Sequence, residues 1–137
     1  MLIRIDLQSD VPLYLQLRNE LVLAIAAGQL LPGQKLPSVR QLAGQLGVNA
    51  MTVQKSYNLL KVQGFVVTDR KRGTVVSSTP PSGQACCAQL QDDLALLAAQ
   101  AGIGGLSQRE FLQLCAQCYR SITQKPAGEG GDTPCSS

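Results

Sequence analysis

Ser38-Val-Arg-Gln-Leu-Ala-Gly-Gln-Leu-Gly-Val-Asn-Ala-Met-Thr-Val-Gln-Lys-Ser-Tyr57 is the stretch on which the fold turns. Ser38 is an N-cap residue, and Gln41 stands three positions later, the spacing at which two side chains reciprocally satisfy the free amides of a helix start. Val39, Leu42, Ala43 and Leu46 then fall on one side of a short helix. Gly47 interrupts it, and Asn49 can cap a second helix whose apolar side carries Val53, Tyr57, Leu60 and Val62. Two helices crossing over a three- to four-residue turn need a small side chain where the backbones approach, a residue tolerant of positive φ in the turn, and an apolar anchor beyond it. Ala43, Gly47 and Val53 supply these in order. Polar Asn49, Thr52, Gln54, Lys55 and Ser56 are read as the exposed start of the second helix.

Upstream, Pro12 suits the opening turn of a helix with Leu13, Leu17, Leu21 and Ala24 or Ile25 at helical spacing, and Gly28 ends it. Leu31-Pro-Gly-Gln-Lys-Leu-Pro37 permits a loop or one short extended piece at Lys35-Leu36. Downstream, Gly64 ends the third helix, and Phe65-Val-Val-Thr68 and Thr74-Val-Val-Ser77 read as β-branched strands on either side of Asp69-Arg-Lys-Arg-Gly73. The whole predicts a helix-turn-helix flanked by a hairpin wing with a basic tip.

Charge is unevenly placed along the 137 residues. Through Thr79 there are nine Lys/Arg against four Asp/Glu, while the remainder has three against five. Between Lys35 and Arg72 seven basic residues face only Asp69, a field that attracts a polyanion. Charge alone is equally compatible with an ordinary solvated surface. Together with the motif, it makes double-stranded DNA the expected partner.

The text of residues 12–76 goes further. Pro12-Leu-Tyr14-Leu-Gln16, Ile25-Ala-Ala-Gly28, Leu31-Pro-Gly33, Leu36-Pro-Ser-Val-Arg40, Leu42-Ala43, Leu46-Gly-Val-Asn49, Thr52-Val53, Tyr57, Leu60, Gly64 and Gly73-Thr74 resemble, in order and spacing, the amino-terminal domain of GntR-family bacterial regulators. Val-Asn followed by x-x-Thr-Val resembles the YtrA-like branch. The resemblance implies DNA contacts from Arg40, from Asn49, Ala50, Met51 and Thr52, and from the wing glycine Gly73 with its neighbours. Adding the basic and polar residues around them gives the candidate set Lys35, Ser38, Arg40, Asn49, Ala50, Met51, Thr52, Gln54, Lys55, Arg70, Lys71, Arg72 and Gly73. The chain departs from the family in two places: Asn49-Ala50-Met51 replaces a frequent Ser-Arg, and Lys71 stands where the wing often has the first glycine of Gly-x-Gly-Thr.

Ser77-Ser-Thr-Pro-Pro-Ser-Gly83 is turn-forming and separates the basic half from an acidic one. Leu90, Leu94, Leu97 and Ala101 predict an amphipathic helix over 88–101, ended by Gly102. Ser107 and Glu110 form a capping box before Phe111, Leu114, Cys115, Cys118 and Ile122. Two short helices enclose little of their own surface, so Leu90, Leu94, Leu97, Phe111, Leu114 and Cys118 are expected in a homodimer interface. The resemblance implies the same use of a two-helix tail. It also suggests repression of neighbouring genes. The predicted fold is α+β, mostly α: a winged helix-turn-helix over 1–79, a two-helix dimerisation region over 80–125, and a disordered tail over 126–137.

With no histidine in the chain, mixed Cys/His zinc sites and His-centred catalysis are removed, and no active-site constellation is found; neither enzyme activity nor a cofactor is expected. Cys86, Cys87, Cys115, Cys118 and Cys135 are odd in number and follow no secretory signal, so a disulfide framework is not expected. Cys115-x-x-Cys118 reads either as packing on the apolar stripe or as a metal or redox pair. Met1-Leu-Ile-Arg-Ile-Asp6 lacks the build of a signal peptide and no apolar run approaches the ~20 residues that span a bilayer, which predicts a cytoplasmic protein with no membrane partner. A winged-helix protein-interaction module is the competing class, distinguished by binding no duplex. Operator and effector are not legible.

Overall fold

The computed structural model describes residues 3–79 and 84–122, apart from the side chains of residues 84–86. The tail predicted at 126–137, Cys135, the Cys86 side chain and residues 80–83 of the linker fall outside it. The elements are α1 (Leu13–Ala26), α2 (Val39–Leu46), α3 (Ala50–Val62), β1 (Val66–Asp69), β2 (Gly73–Val76), α4 (Gln84–Ile103) and α5 (Gln108–Ile122). The architecture is mostly helical with one small sheet, as the periodicities predict.

Leu17, Leu21 and Ala24 of α1, Leu42 and Ala43 of α2, and Val53, Tyr57 and Leu60 of α3 close one core with Leu30, Leu36, Val66 and Val76. Each large side chain removed from water this way stabilises the fold by about 1.5–3 kcal/mol. The apolar stripe of α3 stops at Leu60, because Val62 is 84% exposed. Ser56 is not on the exposed start of the helix: it is fully buried, and its hydroxyl donates to the carbonyl of Tyr14 (2.7 Å), with the Thr52 carbonyl 3.2 Å away. A small hydroxyl can face the core there because α1 offers it an acceptor.

β1 and β2 pair antiparallel from Val66↔Val76 to Asp69↔Gly73. The first strand begins one residue later than the sequence suggests, since the Phe65 amide closes the end of α3 by donating to the Leu60 carbonyl (2.9 Å). The extended piece at Lys35-Leu36 is present and lies along β2. Gly33 N–H donates to Val76 O (2.8 Å), Val76 N–H to Gln34 O (2.9 Å), and Leu36 N–H to Thr74 O (2.8 Å). Residues 33–36 thus complete the backbone pairing of β2 on its second side.

α4 runs through Gly102 instead of ending there. One helical glycine costs only about 1 kcal/mol, whereas Gly105 at φ +93° allows a left-handed close in which Leu106 N–H reaches Ala101 O (2.9 Å). Ser107 and Glu110 form the expected reciprocal cap of α5. Among the described side chains of α4 and α5 none is buried. No helix among the described residues is long and apolar enough to cross a membrane.

Candidate nucleic-acid interface

The turn between α2 and α3 is built as its residues require. Ser38 and Gln41 form both halves of the capping box. Gly47 takes φ +70° and donates to Ala43 O (2.9 Å), and a Cβ added there would meet nothing within 4 Å. The glycine is therefore needed for its backbone angle and not for space. Asn49 Oδ1 accepts from Met51 N–H (2.8 Å), which fixes the direction of the first turn of α3. Tyr57 anchors that helix from below: its phenol donates to Pro37 O (2.7 Å), and burial pushes its pKa up to about 12.

On the outer side of α3, Ala50, Met51, Gln54, Lys55 and Asn58 are exposed and Thr52 is half-buried. Gln54 Nε2 donates to Asn58 Oδ1 (2.9 Å), one helical turn on. The Lys55 ammonium lies 5.0 Å from the centre of the Tyr14 ring, a cation–π contact that ties it to the start of α1. Arg40 is exposed in the first turn of α2. Ser38 is also exposed, but its oxygen is engaged in the cap. Lys35 lies exposed beside Val75 of β2.

The wing tip is organised by the acidic residue that interrupts the basic run. Asp69 Oδ1 accepts the amides of Lys71 (2.8 Å) and Arg72 (3.2 Å), and these bonds hold its carboxyl below the usual range. The Arg72 guanidinium folds back, with Nε 3.4 Å from Asp69 Oδ2 and a terminal nitrogen donating to Gly33 O (3.1 Å). Gly73 takes φ +85°. The wing therefore closes without a glycine at Lys71, because the Asp69 side chain supplies the turn. Arg70 and Lys71 remain exposed at the tip.

Tyr14, Asn58 and the turn-holding role of Asp69 were not picked out from sequence. The i, i+4 spacing of Gln54 and Asn58, and an aspartate two residues before the amide it caps, are the signals that lead to two of them. Nothing local to the sequence pairs Lys55 with Tyr14. Arg18 also gathers distant partners: its Nε donates to Gln63 Oε1 (2.8 Å) and its guanidinium lies 5.8 Å from the centre of Phe65. Burial lowers its pKa, and Asp93 of α4 pulls the other way. Of the thiols, Cys115 is half-buried and Cys118 exposed, so they do not share one buried stripe. Among the described residues no three His, Cys, Asp or Glu side chains group as metal ligands.

A helix-turn-helix with a capped, polar second helix and a basic hairpin beside it defines the class of winged-helix DNA-binding modules. The model of the bacterial regulatory proteins of the gntR family matches residues 13–76. Among curated relatives, the HTH-type transcriptional regulator Rv1152 of Mycobacterium tuberculosis is 40% identical over 90 residues, covering 66% of this chain and 74% of that protein. The HTH-type transcriptional repressor YtrA of Bacillus subtilis is 41% identical over 76 residues, covering 56% of this chain and 58% of the relative. Among solved structures, a transcriptional antiterminator from Listeria monocytogenes EGD-e superposes over 95% of this chain and 98% of its own, with a TM-score of 0.84 at 25% identity. YtrA from Sulfolobus acidocaldarius, a GntR-family transcription factor, is 41% identical with a TM-score of 0.57, over 71% of this chain and 99% of its own. The AraR DNA-binding domain in complex with operator ORX1 matches 55% of this chain and 96% of its own at 30% identity and a TM-score of 0.50. The chain belongs to the gntR family of bacterial regulatory proteins and is a DNA-binding transcription regulator of the YtrA-like branch.

Proposed function

We propose that this regulator is a homodimeric repressor that reads a palindromic operator, with residues 1–79 as the reading head and 80–125 as the dimerisation region. One observation carries the dimer: Leu90, Leu94, Leu97, Leu112 and Leu114 are between 41% and 57% exposed on α4 and α5, too much apolar surface to leave in water on two helices. A symmetry mate covers it most simply and sets two α3 helices about 34 Å apart, one turn of duplex. The repressing sense is that of the Bacillus subtilis relative YtrA, a transcriptional repressor.

Within each head, α3 enters the major groove through Asn49, Ala50, Met51, Thr52 and Gln54. Lys35, Ser38, Arg40, Lys55, Arg70, Lys71 and the backbone of Gly73 line the phosphate path and its flanks. Arg72 holds the wing turn in place of a phosphate. None of these groups forms a catalytic constellation, and the function proposed is binding alone. Sedimentation equilibrium of the full chain, with and without a duplex carrying an inverted repeat, is the test. The full chain should sediment as a dimer and fragment 1–79 as a folded monomer. A fragment as dimeric as the whole places the interface in the head and removes this reading of the tail.

A further inference from the structure

We infer that the first turns of α3 read A·T pairs, with Ala50 and Met51 packing on a thymine methyl and the Gln54–Asn58 pair facing the adjacent adenine. The inference rests on α3 being the groove-reading helix and adds which bases it prefers.

Major-groove edges differ in what they ask of a side chain. Guanine offers two acceptors and is best met by the two donors of arginine or by lysine; adenine offers one acceptor and one donor, and thymine a methyl group. The opening of α3 lacks arginine. Its one cation, Lys55, is held over the Tyr14 ring at 5.0 Å. Asn49 has its side-chain oxygen committed to Met51 N–H. What this end of the helix presents instead is apolar: Ala50 is exposed, and Met51 is 74% exposed with no core role. A flexible thioether chain at the tip of a reading helix gains by packing on an apolar partner, and in a major groove the apolar partner is the thymine C5-methyl.

The polar stripe beside it has matching chemistry. Because Gln54 Nε2 is bonded to Asn58 Oδ1, the pair keeps Gln54 Oε1 as an acceptor and the Asn58 amide as a donor. Acceptor and donor side by side complement adenine N6–H₂ and N7 and leave guanine unsatisfied. Ala50, Gln54 and Asn58 are spaced by four residues and share one face of α3, so methyl packing and adenine pairing fall on neighbouring base pairs.

The experiment is selection of full-length protein on a random duplex library, followed by replacement of each selected thymine with deoxyuridine, which deletes only the C5-methyl. A half-site containing thymine at the α3 positions is expected. Loss of its methyl should weaken wild type about fourfold per half-site, the worth of one buried carbon, while Met51→Ala, which leaves the Ala50 methyl alone against it, should lose most of that sensitivity. Met51→Arg should shift the preferred pair at that position toward G·C. Met51 is exposed, so neither variant disturbs the core. If a consensus is recovered but uracil is tolerated at every thymine, or the α3 positions select G·C in wild type, the inference falls and groove reading stands. If no sequence is enriched at all, groove reading falls and takes the inference with it.

Discussion

The two halves of the molecule solve the problem of apolar surface in opposite ways. Through Val76 every element buries side chains, and thirteen apolar residues are buried, from Leu17 to Val76. Beyond residue 83, α4 and α5 carry leucines at the same helical spacings and bury none of them among the described residues. α1 has α3 to close on, and α3 has α2, whereas α4 has little but α5. Leucines at helical spacing thus state that a helix has a partner without saying whether the partner lies in the same chain.

A charge on the tail should separate the two halves most sharply. Leu97 is 52% exposed, so Leu97→Asp costs the isolated chain little. In a dimer it buries an unpaired carboxylate and should abolish association. Loss of the linked second head should then lower apparent affinity for an inverted-repeat duplex by about 10²–10⁴-fold. Fluorescence anisotropy with sedimentation on the same samples reads both. A variant that stays dimeric with undiminished affinity moves the interface elsewhere.

The converse change belongs to the head. Leu60 is fully buried where α1, α3 and the hairpin meet, and Leu60→Ala should cost about 2–5 kcal/mol in urea unfolding. The Leu97→Asp chain, unfolded in the same way as a monomer, should keep nearly all of the head's stability. A comparable loss in both variants means the head leans on the tail, and the division into a self-contained and a dependent half is wrong.

How far these contrasts were legible follows from their range in sequence. Caps and turns are decided by neighbours, so Ser38 with Gln41, Asn49, Gly47 and the Ser107–Glu110 box could be read directly. The hairpin was off by a residue at Phe65 because the end of α3 and the start of β1 compete for one amide. Gly102 misled because a lone glycine only weakens a helix. Ser56 was misplaced because its polar side chain suggests solvent and its burial depends on the Tyr14 carbonyl, 42 positions away. Likewise the basic run predicted a cationic wing, but only the fold brings Gly33 O to Arg72 and leaves fewer free charges than the count implies.

Tyr57 offers a contrast within the head itself. Its buried phenol titrates near 12 against an ordinary value near 10, so the folded state holds the proton more tightly than the unfolded chain does. The corresponding stability is complete below pH ~10 and is lost as pH rises from there toward 12, by about 2–3 kcal/mol. Tyr57→Phe should lose about 0.5–1.5 kcal/mol at neutral pH with the bond to Pro37 O, and should no longer show this alkaline component. Equal alkaline slopes in both proteins mean that the phenol is not the group responsible.

The smallest effect discriminates most finely, because it concerns charges within one turn of the wing. Arg70, Lys71 and Arg72 are adjacent in sequence, but of their side chains it is that of Arg72 which is bonded to the Asp69 carboxylate and to Gly33 O. Each side chain that neutralises a phosphate contributes about 0.9 to the slope of log affinity against log salt. Arg70→Ala and Lys71→Ala should each flatten the slope by about that amount. Arg72→Ala should weaken binding by loosening the turn while moving the slope by less than about half as much. Asp69→Asn keeps an oxygen for the Lys71 and Arg72 amides and removes the charge that holds the guanidinium, so it should steepen the slope as Arg72 becomes free to meet the backbone. Equal flattening by all three alanine variants, with no change in Asp69→Asn, makes Arg72 an ordinary phosphate contact whose internal bonds give way on DNA.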